Sequence, residues 1–282
     1  MILAPGAAEL GQPTHLLRLL FSGYTIFDRE DLLATDQHTP DAVSFHFYGA
    51  GSQRCGESPF GHDKEDALSG RWLGQVDSAI ATTTKLRDRA APDAPLWITE
   101  TAETACGGNP WAAMFTDVFR FTDQLARAAR QGVQVYMHNT LSASDYGLLD
   151  ETTHAPRPNY WAAWLWRNFM GTQVLDAGES SEGLHLYAHC LRDQRGGVAV
   201  LAINLDEHEK RTVRIPAVAK LFSLREGKTP AQATLNGLPL ELGPEDSLPV
   251  TSGVEVQPGE LALEPASVNY ITFPQAGNAS CG

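Results

Sequence analysis

Residues Pro95 to Trp111 read PLWITETAETACGGNPW, and the reading of this stretch decides the fold. Leu96-Trp97-Ile98-Thr99 is a short apolar run that starts behind Pro95 and ends on a carboxylate, Glu100. Gly107-Gly108 opens a turn, and from about Pro110 to Arg130 the residues Trp111, Met114, Phe115, Val118, Phe121 and Leu125 form one helical stripe. A strand, a glycine turn and an amphipathic helix make one βα unit, and the same unit recurs on both sides. Upstream, Ala42 to Tyr48 reads as a strand, a polar loop follows through Gly61, and a helix runs from about Ser69 to Ala90 with Trp72, Val76, Ile80 and Leu86 at helical intervals. Downstream, Gly132 introduces the strand Val133 to Met137, which ends at His138-Asn139, and an aromatic helix runs from Pro158 to Met170 with Gly171 expected as its C-cap. At the start, Ile2-Leu3-Ala4 reads as a short strand turned at Pro5-Gly6, and His15, Leu16, Leu17, Leu19, Leu20 and Phe21 have helical spacing. Four βα units in succession imply parallel strands with covering helices, which is half of a (β/α)8 TIM barrel.

From about Thr172 the period changes. Short strands at 173–175, 184–189, 198–203, 212–215, 221–224, 233–235 and 268–273 are separated by turn residues, the pattern of an antiparallel β-sandwich. The expected class is therefore α/β plus all-β, with a partial barrel at 1–171 and a β-sandwich domain at 172–282. A net charge of -13 opposes nucleic acid and anionic membrane surfaces as partners. An acidic ligand would need backbone donors, Tyr or the few Arg residues. No run reaches the ~18 apolar residues of a membrane span, and the first residues lack the basic and apolar regions of a signal peptide.

Reactive residues of parallel α/β folds sit at the C-terminal ends of the strands. Those ends carry His46 and Tyr48, then Glu100, then His138 and Asn139, with Tyr146 in the loop beyond. A retaining glycosidase uses two carboxylic groups about 5 Å apart, one as nucleophile and one as acid/base. Glu100 follows its strand without a break, so a rigid element would hold it as nucleophile; the alternative is that it caps the next turn. Glu103, in the loop, is read as a hydrogen-bonding or loop-solvating residue.

The 95–111 segment resembles the nucleophile region of glycoside hydrolase family 79, the heparanase and microbial β-glucuronidase family, and the resemblance extends over essentially the whole chain. It implies that Glu100 is the nucleophile and that Tyr48 donates a hydrogen bond to it. It also implies that the backbone amides of Gly107 and Gly108, with Tyr146, receive a uronic acid carboxylate, while His46 and Asn139 line the cleft. Cys106 stands where heparanase has Tyr, the loop is one residue longer, and His138-Asn139 replaces an Arg-Gln pair. The family's acid/base Glu, in an Asn-Glu-Pro sequence, does not occur here. The resemblance thus implies the C-terminal half of the enzyme, with strands 1 to 4 expected from a missing N-terminal half or a partner chain. The implied substrate is a carbohydrate with β-linked glucuronic or 4-O-methylglucuronic acid, and no metal or organic cofactor is required. A barrel glycosidase for neutral sugars and a non-catalytic fragment or carbohydrate-binding module are the other readings.

Cys190 and Cys281 fall where the family has a sandwich disulfide; two independent thiols are the alternative. Cys55 and Cys106 lie in loops after neighbouring strands, so a second bridge at the cleft rim is a further option. Two bridges would imply a secreted or periplasmic location for the complete protein. His185 and His189 are read as structural, and the aromatic run from Tyr160 to Phe169 as core packing.

Overall fold

The computed structural model describes residues 1–10, 33, 39–55 and 62–282. The helix expected around 15–21 and part of the loop expected to run through Gly61 lie outside these residues. Among the described residues, four parallel strands pair in chain order: β1 (Leu3–Leu10), β2 (Ala42–Tyr48), β3 (Leu96–Thr101) and β4 (Val133–His138). Consecutive pairing of parallel strands is the order that barrel winding produces, and among the described residues this sheet has no further strand beyond β1 or β4. Helices α1 (Gly70–Leu73) and α2 (Gln75–Ala90) connect β2 to β3, and α3 (Thr116–Arg130) connects β3 to β4. The outward side chains of β2 and β3, Val43, Phe45, Phe47, Leu96 and Ile98, pack on Val76, Ala79 and Ile80 of α2. Each such buried apolar side chain contributes about 1.5–3 kcal/mol.

Three expectations shift. The first strand does not stop at Pro5-Gly6: β1 continues to Leu10 through a register irregularity between Pro5 and Ala7, where Gly6 takes a φ of 63°. The helix expected from Ser69 breaks at Gly74, after Ser69 has capped α1 by accepting from the Trp72 amide. Gly171 is not a helix cap. Helix α4 (Pro158–Phe169) passes directly into strand β5 (Met170–Leu175), and Gly171 lies where a Cβ would approach the Cys190 carbonyl oxygen to 2.5 Å. Close backbone approach, not a left-handed turn, demands glycine there.

The remaining strands are antiparallel: β6 (Leu184–Leu191), β7 (Val198–Asn204), β8 (Arg211–Ile215), β9 (Ala219–Glu226), β10 (Ala233–Leu235), β11 (Leu238–Pro239), β12 (Val254–Val256), β13 (Gly259–Leu263) and β14 (Ser267–Phe273). The large sheet runs β11-β10-β9-β14-β7-β6-β5, with β12 on β9, and β8 pairs with β13 in a separate ribbon. Alternation along β14 sends Val268 and Tyr270 to one face and Ile271 and Phe273 to the other. The first face shares a core with Phe115, Trp161, Leu165 and Met170, so the sheet and helices α3 and α4 exclude water together. Asp123 of α3, fully buried, accepts from His185 Nδ1 at 2.7 Å, Tyr187 Oη at 2.6 Å and Arg127 Nε at 2.5 Å. Burial alone would push this carboxyl up; the His185 and Arg127 contacts outweigh it and hold the carboxyl low. Among the described residues no helix is long and apolar enough to cross a membrane.

Candidate active site

The direction of Glu100 depends on one extra residue. Strand β2 pairs with β3 as Val43↔Leu96, Ser44↔Trp97 and Phe45↔Ile98, and then as His46↔Glu100, leaving Thr99 without a partner. Strict alternation would send Glu100 outward with Leu96 and Ile98. The irregularity at Thr99 turns it to the inner face, beside Ser44, His46 and Tyr48. Thr101 consequently points outward, where Gln124 Nε2 of α3 donates to its Oγ1 at 2.7 Å. Strand β3 itself runs unbroken from Leu96 through Glu100 to Thr101, as expected from sequence, and the irregularity is confined to its pairing.

Around Glu100 the hydrogen bonds form a connected set. Tyr48 Oη donates to Glu100 Oε1 at 2.7 Å, and His46 Nδ1 lies 3.6 Å from Oε2. Asn139 Nδ2 donates to Tyr48 Oη at 2.9 Å and reaches Tyr146 Oη at 3.3 Å. Burial raises the Tyr48 hydroxyl well above its ordinary value, and its bond to Glu100 adds to this, so it stays protonated as a donor. The Tyr146 hydroxyl is raised by burial, with the Glu100 charge adding to the shift and the neighbouring Gly107 backbone opposing it. The Glu100 side chain is 40% exposed, so the carboxylate at the centre of this set remains accessible from solvent.

His138 behaves differently. It pairs with Thr101 on the outward side, packs edge-on against Phe121, and its Nε2–H donates to the Tyr146 carbonyl at 2.7 Å. Burial, with the Arg120 charge adding, lowers it to about 3, so it is a neutral strut under the Tyr146 loop.

The turn after β3 forms the rim. Cys106, Gly107 and Gly108 take φ values of 68°, 91° and 80°, and a Cβ on Gly108 would stand 3.0 Å from the Tyr146 ring. Cys106 is joined to Cys55 in the loop after β2, and Cys190 of β6 is joined to Cys281. Sequence reasoning missed one member of this rim, Arg54, and left a second, Glu103, between hydrogen bonding and loop solvation. Arg54 Nη2 pairs with Asp145 Oδ2 at 2.6 Å, and its guanidinium borders Gly107; its place beside Cys55 was the available signal. Glu103 is 1% exposed, so it solvates nothing: it accepts from the Asn109 amide at 2.8 Å, Asn109 Nδ2 at 3.1 Å and Thr104 Oγ1 at 2.7 Å. Burial, reinforced by Asp117, raises its carboxyl.

No family model matches the chain. Heparanase-like protein 1 of Arabidopsis thaliana is 33% identical over 177 residues, 62% of this chain and 32% of that protein. Heparanase of Bos taurus is 27% identical, over 86% of this chain and 46% of its own length. Baicalin-beta-D-glucuronidase of Scutellaria baicalensis is 25% identical, over 94% and 52% respectively. Among solved structures, the GH51 arabinofuranosidase of Xanthomonas axonopodis pv. citri superposes with a TM-score of 0.64 at 17% identity, covering 96% of this chain and 57% of that one. The 4-O-alpha-L-rhamnosyl-beta-D-glucuronidase of Fusarium oxysporum 12S gives 0.60 at 14% identity, covering 89% and 58%. The fold is thus similar to part of the fold of these two structures: a parallel sheet with covering helices, followed by an antiparallel sheet. The chain is a homologue of heparanase and the heparanase-like proteins. It spans between a third and a half of the length of these three curated relatives, from 32% to 52%.

Proposed function

We propose that Glu100 is the nucleophile of a retaining β-glycosidase and that its sugar is a β-linked uronic acid, glucuronic acid or its 4-O-methyl ether. The observation that carries this reading is the accessible Glu100 carboxylate at a strand irregularity, held by Tyr48 at 2.7 Å and flanked by His46 at 3.6 Å. Glu100 attacks the anomeric carbon as the bond to the aglycone oxygen breaks. A second carboxylic acid protonates that oxygen, then takes a proton from the water that hydrolyses the glycosyl-enzyme. We assign this second group to strands that complete the barrel, upstream or in a partner chain. The edges of β1 and β4, unpaired among the described residues, and the exposed Met137, Ile2 and Leu3 support that assignment. We also assign residues 1–171 to the catalytic barrel and 172–282 to the sandwich, and the two disulfides favour an oxidising compartment.

Two observations support the uronic acid: the Gly107-Gly108 turn borders both Arg54 and Tyr146 at one rim, and the similar Scutellaria protein is named as a glucuronidase. A neutral sugar is the second reading, favoured by the 2.6 Å pairing that leaves Arg54 neutralised by Asp145. Rates on 4-nitrophenyl β-glucuronide, β-glucoside and α-L-arabinofuranoside, measured on the assembled enzyme, separate the two. The account expects the glucuronide to lead by at least about tenfold in kcat/KM, about 1.4 kcal/mol. A glucoside or arabinofuranoside that leads by that margin would replace the uronic reading, and an inverted product anomer would remove the nucleophile assignment.

A further inference from the structure

The rim turn 105–109 is tied to its surroundings from two directions, and neither tie touches Glu100. On its outer side, the exposed Cys106 is bonded covalently to Cys55, at the end of a short helical turn, Gln53–Cys55, that also carries Arg54. On its inner side, the buried Glu103 carboxylate grips Asn109 by backbone and side chain. Asn109 in turn accepts from the Gln53 amide at 2.9 Å, and Ser52 Oγ donates to the Gly108 carbonyl at 2.7 Å. Two backbone bonds, Ser52 to Ala105 and Ala105 to Ala50, close the same seam at 3.0 Å each.

The conformation held in this way is unfavourable by itself. Three successive residues have left-handed φ, and Cys106 carries a Cβ that disfavours that region. Relaxation of Cys106 would rotate the peptide that follows it, whose N–H belongs to Gly107, and so shift the turn against Arg54 and Tyr146. Glu103 has an unusual position for a carboxyl: it is buried, His62 stands 3.9 Å away with its imidazole lowered by burial to about 4, and the buried Arg120 acts on it only through its charge. Three donors converge on the two Glu103 oxygens, which makes it a hydrogen-bonding hub rather than a reactive group.

We propose that Glu103 and the Cys55–Cys106 disulfide are positioning elements for specificity: together they hold the Gly107 amide and Arg54 at the rim, so that recognition of a substrate's acidic group depends on them while attack by Glu100 does not. The inference rests on the uronic acid reading above for its ligand, but the restraint itself is testable without it. The variants are Cys55→Ser/Cys106→Ser, Glu103→Ala and Glu103→Gln, the last keeping one acceptor oxygen.

Two measurements decide the matter. Hydrogen exchange of the chain alone should show the amides of Gly107 to Asn109 opening at least about tenfold faster in Glu103→Ala and in the double Ser variant, with strand β3 unchanged and Glu103→Gln intermediate. Unchanged exchange at the turn, or a uniform acceleration across the whole chain, would overturn the proposal. In the assembled enzyme, KM for 4-nitrophenyl β-glucuronide should rise about tenfold with kcat within about twofold, and KM for the β-glucoside should stay the same. Equal losses on both substrates would overturn it. Absence of turnover on any glycoside in the unaltered enzyme would count against the functional reading, and exchange would then decide the proposal by itself.

Discussion

Tyr48 reaches Glu100 with a hydroxyl that burial and the carboxylate together keep protonated, so its one proton is committed to Oε1 at 2.7 Å. Tyr48→Phe removes that donor and keeps the ring; the expected result is a fall in kcat of about tenfold to hundredfold, ~1.4–2.7 kcal/mol of barrier, with the fold intact by circular dichroism. Asn139→Ala acts one step further out, through Tyr48 and Tyr146, and should cost less than Tyr48→Phe. At this scale the sequence revealed that a carboxylate ends the third strand, because Leu96 to Thr99 is an evident strand and Glu100 follows it. It did not reveal where the carboxylate points. Alternation alone groups Glu100 with Leu96 and Ile98, and the irregularity at Thr99 arises from register against β2 and β4, which one strand's sequence does not encode. Arg54 was equally hidden, since its guanidinium meets Gly107 and Asp145 only after three separate loops converge.

Helix α3 shows how an element is fixed by partners distant in sequence. Its apolar stripe was legible from Val118 and Phe121, whereas its buried polar residues were not: Asp117, Arg120, Asp123 and Gln124 look like solvent-facing positions and are at most 3% exposed. Asp123 finds His185 and Tyr187 some sixty residues later, and Asn159 Nδ2 donates to Asp117 at 2.7 Å. Replacing Asp123 by Ala leaves Arg127 and the Tyr187 hydroxyl without their shared acceptor; chemical denaturation should show a loss of about 3–5 kcal/mol. Gly171→Ala tests the crossing from α4 to β5. A Cβ 2.5 Å from the Cys190 carbonyl forces the strands apart, and the expected cost is about 1–3 kcal/mol by the same measurement. A cap glycine would tolerate alanine poorly for a different reason, its φ, which Gly171 does not share with the left-handed glycines of this chain.

For the whole molecule, acid stability depends on buried imidazoles, and among the described residues His62, His138 and His189 are all lowered by burial. His62, lowered to about 4, and His138, lowered to about 3, are neutral when folded and take up protons near pH 6.5 when unfolded. The unfolded state therefore binds more protons between pH 6.5 and those folded values, and stability falls as pH drops through that window. Each contributes about 2 kcal/mol of loss between pH 6.5 and 5. His138→Gln, which keeps a donor for the Tyr146 carbonyl, should flatten the pH dependence of unfolding by about that amount; an unaltered slope would mean that His138 is protonated when folded. The change from parallel to antiparallel strands was legible from the change of hydrophobic period near Thr172. The shared core was not, because Trp161 and Tyr270 meet only once the large sheet closes over α4. The central claim, that Glu100 is the nucleophile, is tested most directly by intact-mass and peptide analysis of the assembled protein after incubation with 2-deoxy-2-fluoro-β-D-glucuronyl fluoride and its glucosyl counterpart. One fluoroglycosyl unit should appear on the peptide that contains Glu100 and vanish in Glu100→Gln; a label on Glu103 or any other carboxylate, or one that persists in Glu100→Gln, would contradict the account.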